Sequence, residues 1–183
     1  MKPICNKSAI YLKALDACDR ADYQAALQEW RPLAEQGDAD AQVNLGHMYH
    51  EGRGVAQSDT EVVKWVRKAA EQGDANAQFN LGQMYHEGRG VAQSDTEAVK
   101  CYTPAAQQGN AMTQFNLGVM HFQGKGVLQD NIYAYMWWNI SASLGNEHAS
   151  RSREIIAEIM TPADVSKAQQ LARECIAKDY KGC

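Results

Sequence analysis

Two histidine-glutamate pairs, His50-Glu51 and His86-Glu87, come closest to a reactive constellation in this sequence. A metalloprotease helix needs a second histidine four residues after the first, so that both imidazoles meet one zinc ion while the glutamate activates water. Here each pair runs into Gly-Arg-Gly, and the fourth residue on is Gly54 or Gly90. The zinc-protease reading therefore fails. His47, His50, His86 and His121 do not make a ligand cluster either. They recur in successive structural units whose helix layers are ~8–10 Å apart, against metal bonds of ~2 Å. No Gly-x-Ser-x-Gly nucleophile turn or phosphate-binding loop occurs. The expectation is a chain with no catalytic residues, no metal and no cofactor.

The elements that carry these residues are repeated. Gly37, Gly73, Gly109 and Gly145 lie 36 residues apart, and Glu35 to Ala70 matches Glu71 to Ala106 at 28 of 36 positions. The run HEGRGVAQSDTE is common to both copies, and a third, diverged copy covers Gln107 to Ala142. A short fixed period means one supersecondary unit used repeatedly, each copy burying its apolar face on the next. Within a copy, Ala41, Leu45, Met48 and Tyr49 share one face of a helix that Gly52 ends. A glycine-rich loop follows, pinned by Val55. Ser58 to Glu61 and Ser94 to Glu97 have capping-box spacing for a second helix, whose inward face is Val62, Trp65, Val66, Ala69 and Ala70. The fold class is all-α: a right-handed superhelix, or solenoid, of stacked antiparallel helix pairs.

The single solenoid divides into a leading helix pair at 8–36, repeats at 37–72, 73–108 and 109–144, and C-terminal capping helices at 145–183. The leading pair turns tightly at Ala21-Asp22-Tyr23 and carries Ala26, Leu27, Trp30 and Leu33 in register. The cap is expected as a hairpin with a polar outer surface. Its first helix has Ile155, Ile156, Ile159 and Met160 on one side, and its second starts at Thr161-Pro-Ala-Asp164 and carries Val165, Ala168, Leu171, Ala172 and Ile176. Trp137 and Trp138 fall in register with Trp65 and Val66, which assigns them to packing and leaves Tyr133 and Tyr135 open.

Composition narrows the partners. Eighteen basic and 22 acidic residues give a net charge of −4 without a basic patch, so nucleic acid is not an expected partner. No apolar run approaches the ~20 residues of a membrane span, so no membrane insertion is expected. One lysine precedes an early proline, without the ~7–15 apolar residues of a secretory signal. A cytoplasmic location is expected from this, with a periplasmic or secreted one if the N-terminus is processed. The five cysteines, Cys5, Cys18, Cys101, Cys175 and Cys183, read mainly as reduced thiols. The tail spacing of Cys175 and Cys183 would let them close a loop under oxidising conditions, which would point to export.

The pattern Ala41, Leu45, Gly46, Tyr49, Gly52, Gly54, Val55, Asp59, Lys64, Trp65, Ala69, Ala70, Gly73, largely repeated 36 residues on, resembles the Sel-one-like repeat (SLR) family, a relative of the tetratricopeptide repeat. The resemblance covers about Ala25 to Ala149. It implies a non-enzymatic scaffold or adaptor that holds other proteins, in roles that include bacterial host interaction and neutralisation of effectors (immunity). Cysteine-rich members are linked to penicillin binding and hydrolysis, which gives an alternative: a penicillin-recognising or cell-wall-fragment-binding protein. The regularly spaced cysteines of those members are missing here, as are Ser-x-x-Lys and Lys-Thr-Gly.

In the tetratricopeptide relative, first helices line the concave groove. The resemblance carries that face to Asn44, His47 and His50 in copy one, to Asn76, Phe79, Asn80, Gln83 and His86 in copy two, and to Met112, Phe115, Asn116, Val119 and Phe122 in copy three. The groove changes from polar to apolar along its length. Asn44, Asn80 and Asn116 form a ladder able to bond the backbone of an extended peptide, or else to tie neighbouring helices together. Phe79 and Phe115 either receive a partner's apolar side chains or pack between units.

Copy two departs from the pattern at Cys101 and Pro104, where copy one has Trp65 and Lys68. Proline removes a helical amide and should bend or shorten its helix. Amide hydrogen exchange is expected to be faster across 101–108 than across 65–72, and equal protection would contradict a weakened second helix in copy two.

Overall fold

The computed structural model describes residues 9–183. Cys5 and the Ser8 start of the leading pair lie outside the described residues. Within them run α1 (Ala9–Asp19), α2 (Tyr23–Glu35), α3 (Ala39–Glu51), α4 (Asp59–Glu71), α5 (Ala75–Glu87), α6 (Asp95–Ala106), α7 (Ala111–Gln123), α8 (Asn131–Ser143), α9 (Glu147–Ala157) and α10 (Pro162–Ala177). Each helix from α1 to α9 packs on its neighbours in chain order. The result is an all-α solenoid of stacked pairs.

Local chemistry starts and stops these helices at the expected places. Asp38, Asp74, Asn110 and Asn146 cap the first helices, each accepting from the amide three residues on. Gly52, Gly88 and Gly124 end α3, α5 and α7 in the left-handed region, at φ of 68°, 69° and 66°. The second glycine of each loop is held by contact rather than by its own turn alone. A Cβ on Gly90 would overlap the Asp59 carbonyl, and one on Gly126 the Asp95 carbonyl, so each loop lies hard against the start of the preceding unit's second helix.

The capping box is only half made. Ser58 accepts from Glu61 N at 3.3 Å, but the Ser58 amide donates to Tyr49 O at 3.0 Å and Glu61 turns to Lys64. Ser94, Tyr85, Glu97 and Lys100 repeat this arrangement. The loop backbone claims the amide that the carboxylate would have taken.

First and second helices of a pair meet at a missing side chain. A Cβ on Gly82 would run into the Tyr102 ring and one on Gly118 into the Trp138 indole; at Gly46 the neighbour is the smaller Val66, at 3.0 Å. Trp137 and Trp138 are buried, as their register requires, and Trp138 Nε1 donates to Phe115 O at 3.1 Å. Tyr135 is buried too, its hydroxyl accepting from Gln169, whereas Tyr133 is exposed and stacks on His121.

The C-terminal cap differs from expectation. α9 ends at Ala157, so Ile159 and Met160 lie beyond it. Ile156 is buried, but Ile155 and Ile159 are 67% and 68% exposed because no element among the described residues covers that side. Nor do α9 and α10 form a hairpin packed mainly on itself, since α10 lies along α8. Cys175 takes the buried place on α10 and Ile176 is exposed. A disulfide joins Cys175 to Cys183 and folds the tail back, with Tyr180 set against Gly109. α6 stops at Ala106, one residue short of the α4 register, consistent with Pro104. Pro32 occupies the same register in α2, which nevertheless reaches Glu35.

A glutamine relay ties unit to unit. Buried Gln42, Gln78 and Gln114 each donate to a carbonyl of the preceding second helix, Ala34, Ala70 and Ala106, at 3.0, 3.2 and 3.0 Å. The oxygens of the first two accept from Gln72 and Gln108, at 2.8 and 3.0 Å. The third relay residue is Leu144, 43% exposed, and Gln114 Oε1 is left buried without a partner. Leu144 has nearly the backbone of Gln72, at φ −94° and ψ 10° against −81° and −2°. Leu144→Gln should complete the relay and stabilise the protein by about 1 kcal/mol, raising the thermal midpoint by roughly 2–4 °C. An unchanged or lower midpoint in a thermal melt would contradict this account of the relay.

Candidate partner-binding face

α3, α5 and α7 present one shared face, and the structure sorts its residues into two groups. Several are committed to the fold. Asn44 Nδ2 donates to the Tyr11 hydroxyl at 3.0 Å, and Asn116 bonds to the Tyr102 hydroxyl. Phe79 is half-buried with its ring 6.1 Å from that of Tyr102; Phe115 is half-buried, 6.5 Å from Trp138 and 6.2 Å from His148. His86 Nδ1 lies 2.6 Å from the Asp95 carboxylate. The asparagine ladder thus links helices at two of its three rungs, and each phenylalanine packs on the second helix of its own pair, Phe115 also on α9.

The others face outward. His47, His50, Asn76 and Met112 are exposed, Asn80, Gln83 and Val119 are half-buried, and Phe122 is exposed at its edge with its ring 5.7 Å from Trp138. Asn80 differs from the other two rungs in that no side chain among the described residues pairs with its amide.

Asn80 opens onto a cleft of about 390 Å³ between α3 and α5. Val43, Gly46, Val62 and Val66 form its floor, with Ala77 and Met84 on the α5 side. Its rim is polar: His47 and His50 from α3, Asn80, Gln83 and Glu87 from α5, and Arg89 from the following loop. Arg89 Nε is buried without a hydrogen-bond partner, and the nearest Glu87 oxygen, at 3.5 Å, is beyond ordinary hydrogen-bond length. Sequence reasoning placed His47, His50, Asn80 and Gln83 on this face. It missed the cleft, which is built from three helices and a loop. The only signal available was the smallness of Val43 and Val66 beside Phe79 and Tyr102 one period on.

Burial raises the Cys18 and Cys101 thiols above their ordinary value, which leaves them weak nucleophiles at neutral pH. Burial likewise holds the Tyr102 hydroxyl protonated, against the opposing effect of the Asn116 bond. What the face offers is an apolar floor with convergent donors and acceptors, the composition of a site that binds.

The Sel1 repeat family model matches residues 39–74, 75–110 and 111–146. Among solved structures, the chain is similar to a Sel1 repeat protein from Oxalobacter formigenes, at 26% identity and a TM-score of 0.75 over 92% of this chain and 76% of that one. It is also similar to a protective antigen of uropathogenic Escherichia coli strains displaying an SLR fold, at 27% identity and a TM-score of 0.65 over 85% of this chain and 42% of that one. The cysteine-rich protein B of Helicobacter pylori shares the fold, at 22% identity and a TM-score of 0.55 over 70% and 92% of the two chains. No curated protein gives a match.

One histidine of the third repeat is half-buried. His121 stands where Tyr49 and Tyr85 stand in the earlier repeats, its ring 5.3 Å from Tyr133 and its Nδ1 buried without a partner. Burial lowers its pKa from 6.5, against the nearby Asp130 charge. The unfolded chain takes up this proton as pH falls through 6.5 and the folded site resists it, so stability is full above that value and declines below it. His121→Tyr should flatten the decline: urea midpoints at about pH 7.5 and pH 5.5 are expected to differ less in the variant than in wild type. An equal difference would remove His121 from the acid response.

Proposed function

Because the chain belongs to the Sel1 repeat family, whose members generally act as non-catalytic protein-protein interaction scaffolds, we propose that it holds a protein or peptide segment along the face shared by α3, α5 and α7. The observation that carries this reading is the make-up of that face. It combines a polar-rimmed cleft at α3 and α5 with exposed Met112 and Phe122 on α7. A segment crossing the first helices would meet hydrogen-bonding groups first and apolar surface second. Such a pattern gives both orientation and burial.

Host interaction or neutralisation of an effector is the finer form of this reading. Its support is the bacterial origin of the named relatives and the protective antigen among them. The Cys175-Cys183 bridge supports a periplasmic or secreted setting, since disulfides persist in oxidising compartments.

Affinity capture from native lysate tests the binding face. Gln83→Ala, Met112→Ala and Phe122→Ala combined, a variant that leaves Phe79 and Phe115 in place, should retain wild-type helicity and lose at least one protein that the wild type retains. Identical capture by the two chains would move the interface off the first helices.

A further inference from the structure

Three of the four helix pairs between α1 and α8 hold an aromatic pair at the same place between first and second helix. Tyr11 lies against Trp30 with ring centroids 6.3 Å apart, Phe79 against Tyr102 at 6.1 Å, and Phe115 against Trp138 at 6.5 Å. The α3 and α4 pair has Val43 and Val66 instead, 36 residues before Phe79 and Tyr102. The cleft lies over these two valines. Its volume, about 390 Å³, falls within the size of ordinary small-ligand pockets. Glu35–Ala70 and Glu71–Ala106 differ at eight of 36 positions, and four of the eight, Val43, His47, Val62 and Val66, line the cleft. Divergence between near-identical copies has thus been concentrated where the ring is missing.

The asparagine ladder identifies what is missing. Asn44 donates to the hydroxyl of Tyr11, a member of the preceding unit's aromatic pair. Asn116 bonds to the hydroxyl of Tyr102, again in the preceding unit's pair. Asn80, midway between them in register, faces a pair of valines and has no phenol to bond.

We infer that the cleft between α3 and α5 receives a tyrosine side chain supplied by a protein partner, its ring lying on Val43, Val62 and Val66 and its hydroxyl accepting from Asn80 Nδ2. This rests on the reading of the first-helix face as a partner-binding surface and names the residue type that anchors there. Arg89 and Glu87, next to each other on the rim, provide a donor and an acceptor for the backbone that flanks the anchor. A ring inserted among apolar side chains inside a polar rim is the usual anatomy of an interface anchor.

The test uses the full chain and N-acetyl-tyrosinamide, followed by NMR. Saturable shifts are expected at the Asn80 side-chain amide and the Val43 and Val66 methyls, with a dissociation constant on the order of 1 mM. N-acetyl-phenylalaninamide should bind about fivefold more weakly, for want of the hydroxyl. Val66→Tyr, which builds into the cleft the ring that Tyr102 provides one repeat on, should abolish binding. Asn80→Leu should keep aromatic binding and lose the preference for tyrosine, and it decides the matter alone if Val66→Tyr fails to fold. Absence of saturable shifts at Asn80, or a tyrosine preference unchanged in Asn80→Leu, overturns the inference. Absent tyrosinamide binding alongside lost capture by the Gln83, Met112, Phe122 variant removes the tyrosine anchor and leaves the scaffold standing. Tyrosinamide binding with unchanged capture supports the cleft and removes the wider face.

Discussion

In each of the three repeats the first helix carries no side chain where it meets the second helix, at Gly46, Gly82 and Gly118. The residue opposite grows along the stack from Val66 to Tyr102 to Trp138, while the glycine is kept. A backbone approach this close fixes the pair geometry independently of what fills the space beside it. The side chain facing the glycine then decides whether the floor of the first-helix face is solid or open. In repeats two and three an aromatic ring fills it; in repeat one a valine leaves room.

Between units the same logic is applied with hydrogen bonds. Gln42, Gln78 and Gln114 would be costly to bury singly, because an amide removed from water must have its donors and acceptor met. They are tolerable because each reaches back to a carbonyl of the preceding second helix, and two are reached in turn by Gln72 and Gln108. Gly90 and Gly126 add a steric lock, since their loops press on the Asp59 and Asp95 carbonyls. Both devices depend on a neighbour of the same kind. They lapse where the repeat does, at Leu144, and beyond it the chain relies on α10 lying along α8 and on a disulfide. Ile155 and Ile159 lie on a side that no described element covers.

Whatever the period determines was legible in the sequence, and whatever depends on meetings between units was not. Helix boundaries, the buried Val62, Trp65 and Val66 face and the packing of Trp137 and Trp138 follow from apolar spacing that recurs every 36 residues. The second half of the capping box was misread because the Ser58 amide is taken by Tyr49 O, a bond across a loop that local spacing does not encode. The sequence left Asn44 open between a partner and a neighbouring helix because its phenol, Tyr11, sits in a leading unit whose tighter turn displaces it from the register of the others. Ile155 and Ile159 read as core because an apolar stripe shows which side would be buried, not whether anything arrives to bury it.

The first-helix face is accordingly not uniform, although the sequence that encodes it is nearly duplicated. Phe79, Phe115, Asn44 and Asn116 hold the stack together, and a partner that removed them from those contacts would have to replace packing and hydrogen bonds already satisfied. Asn80 asks for no such exchange. Its side chain lines a volume where the other pairs have aromatic rings, over buried Val62 and Val66 and half-buried Val43. Filling that volume with an aromatic side chain removes apolar surface from water on both partners and orders little of the receptor, because the helices around it are already fixed by Gly46 below and the glutamine relay beside it. Binding strength would then be concentrated at repeat one, with Met112 and Phe122 adding apolar contact farther along the face. Selectivity for tyrosine over phenylalanine would come from the hydrogen bond that the phenol completes.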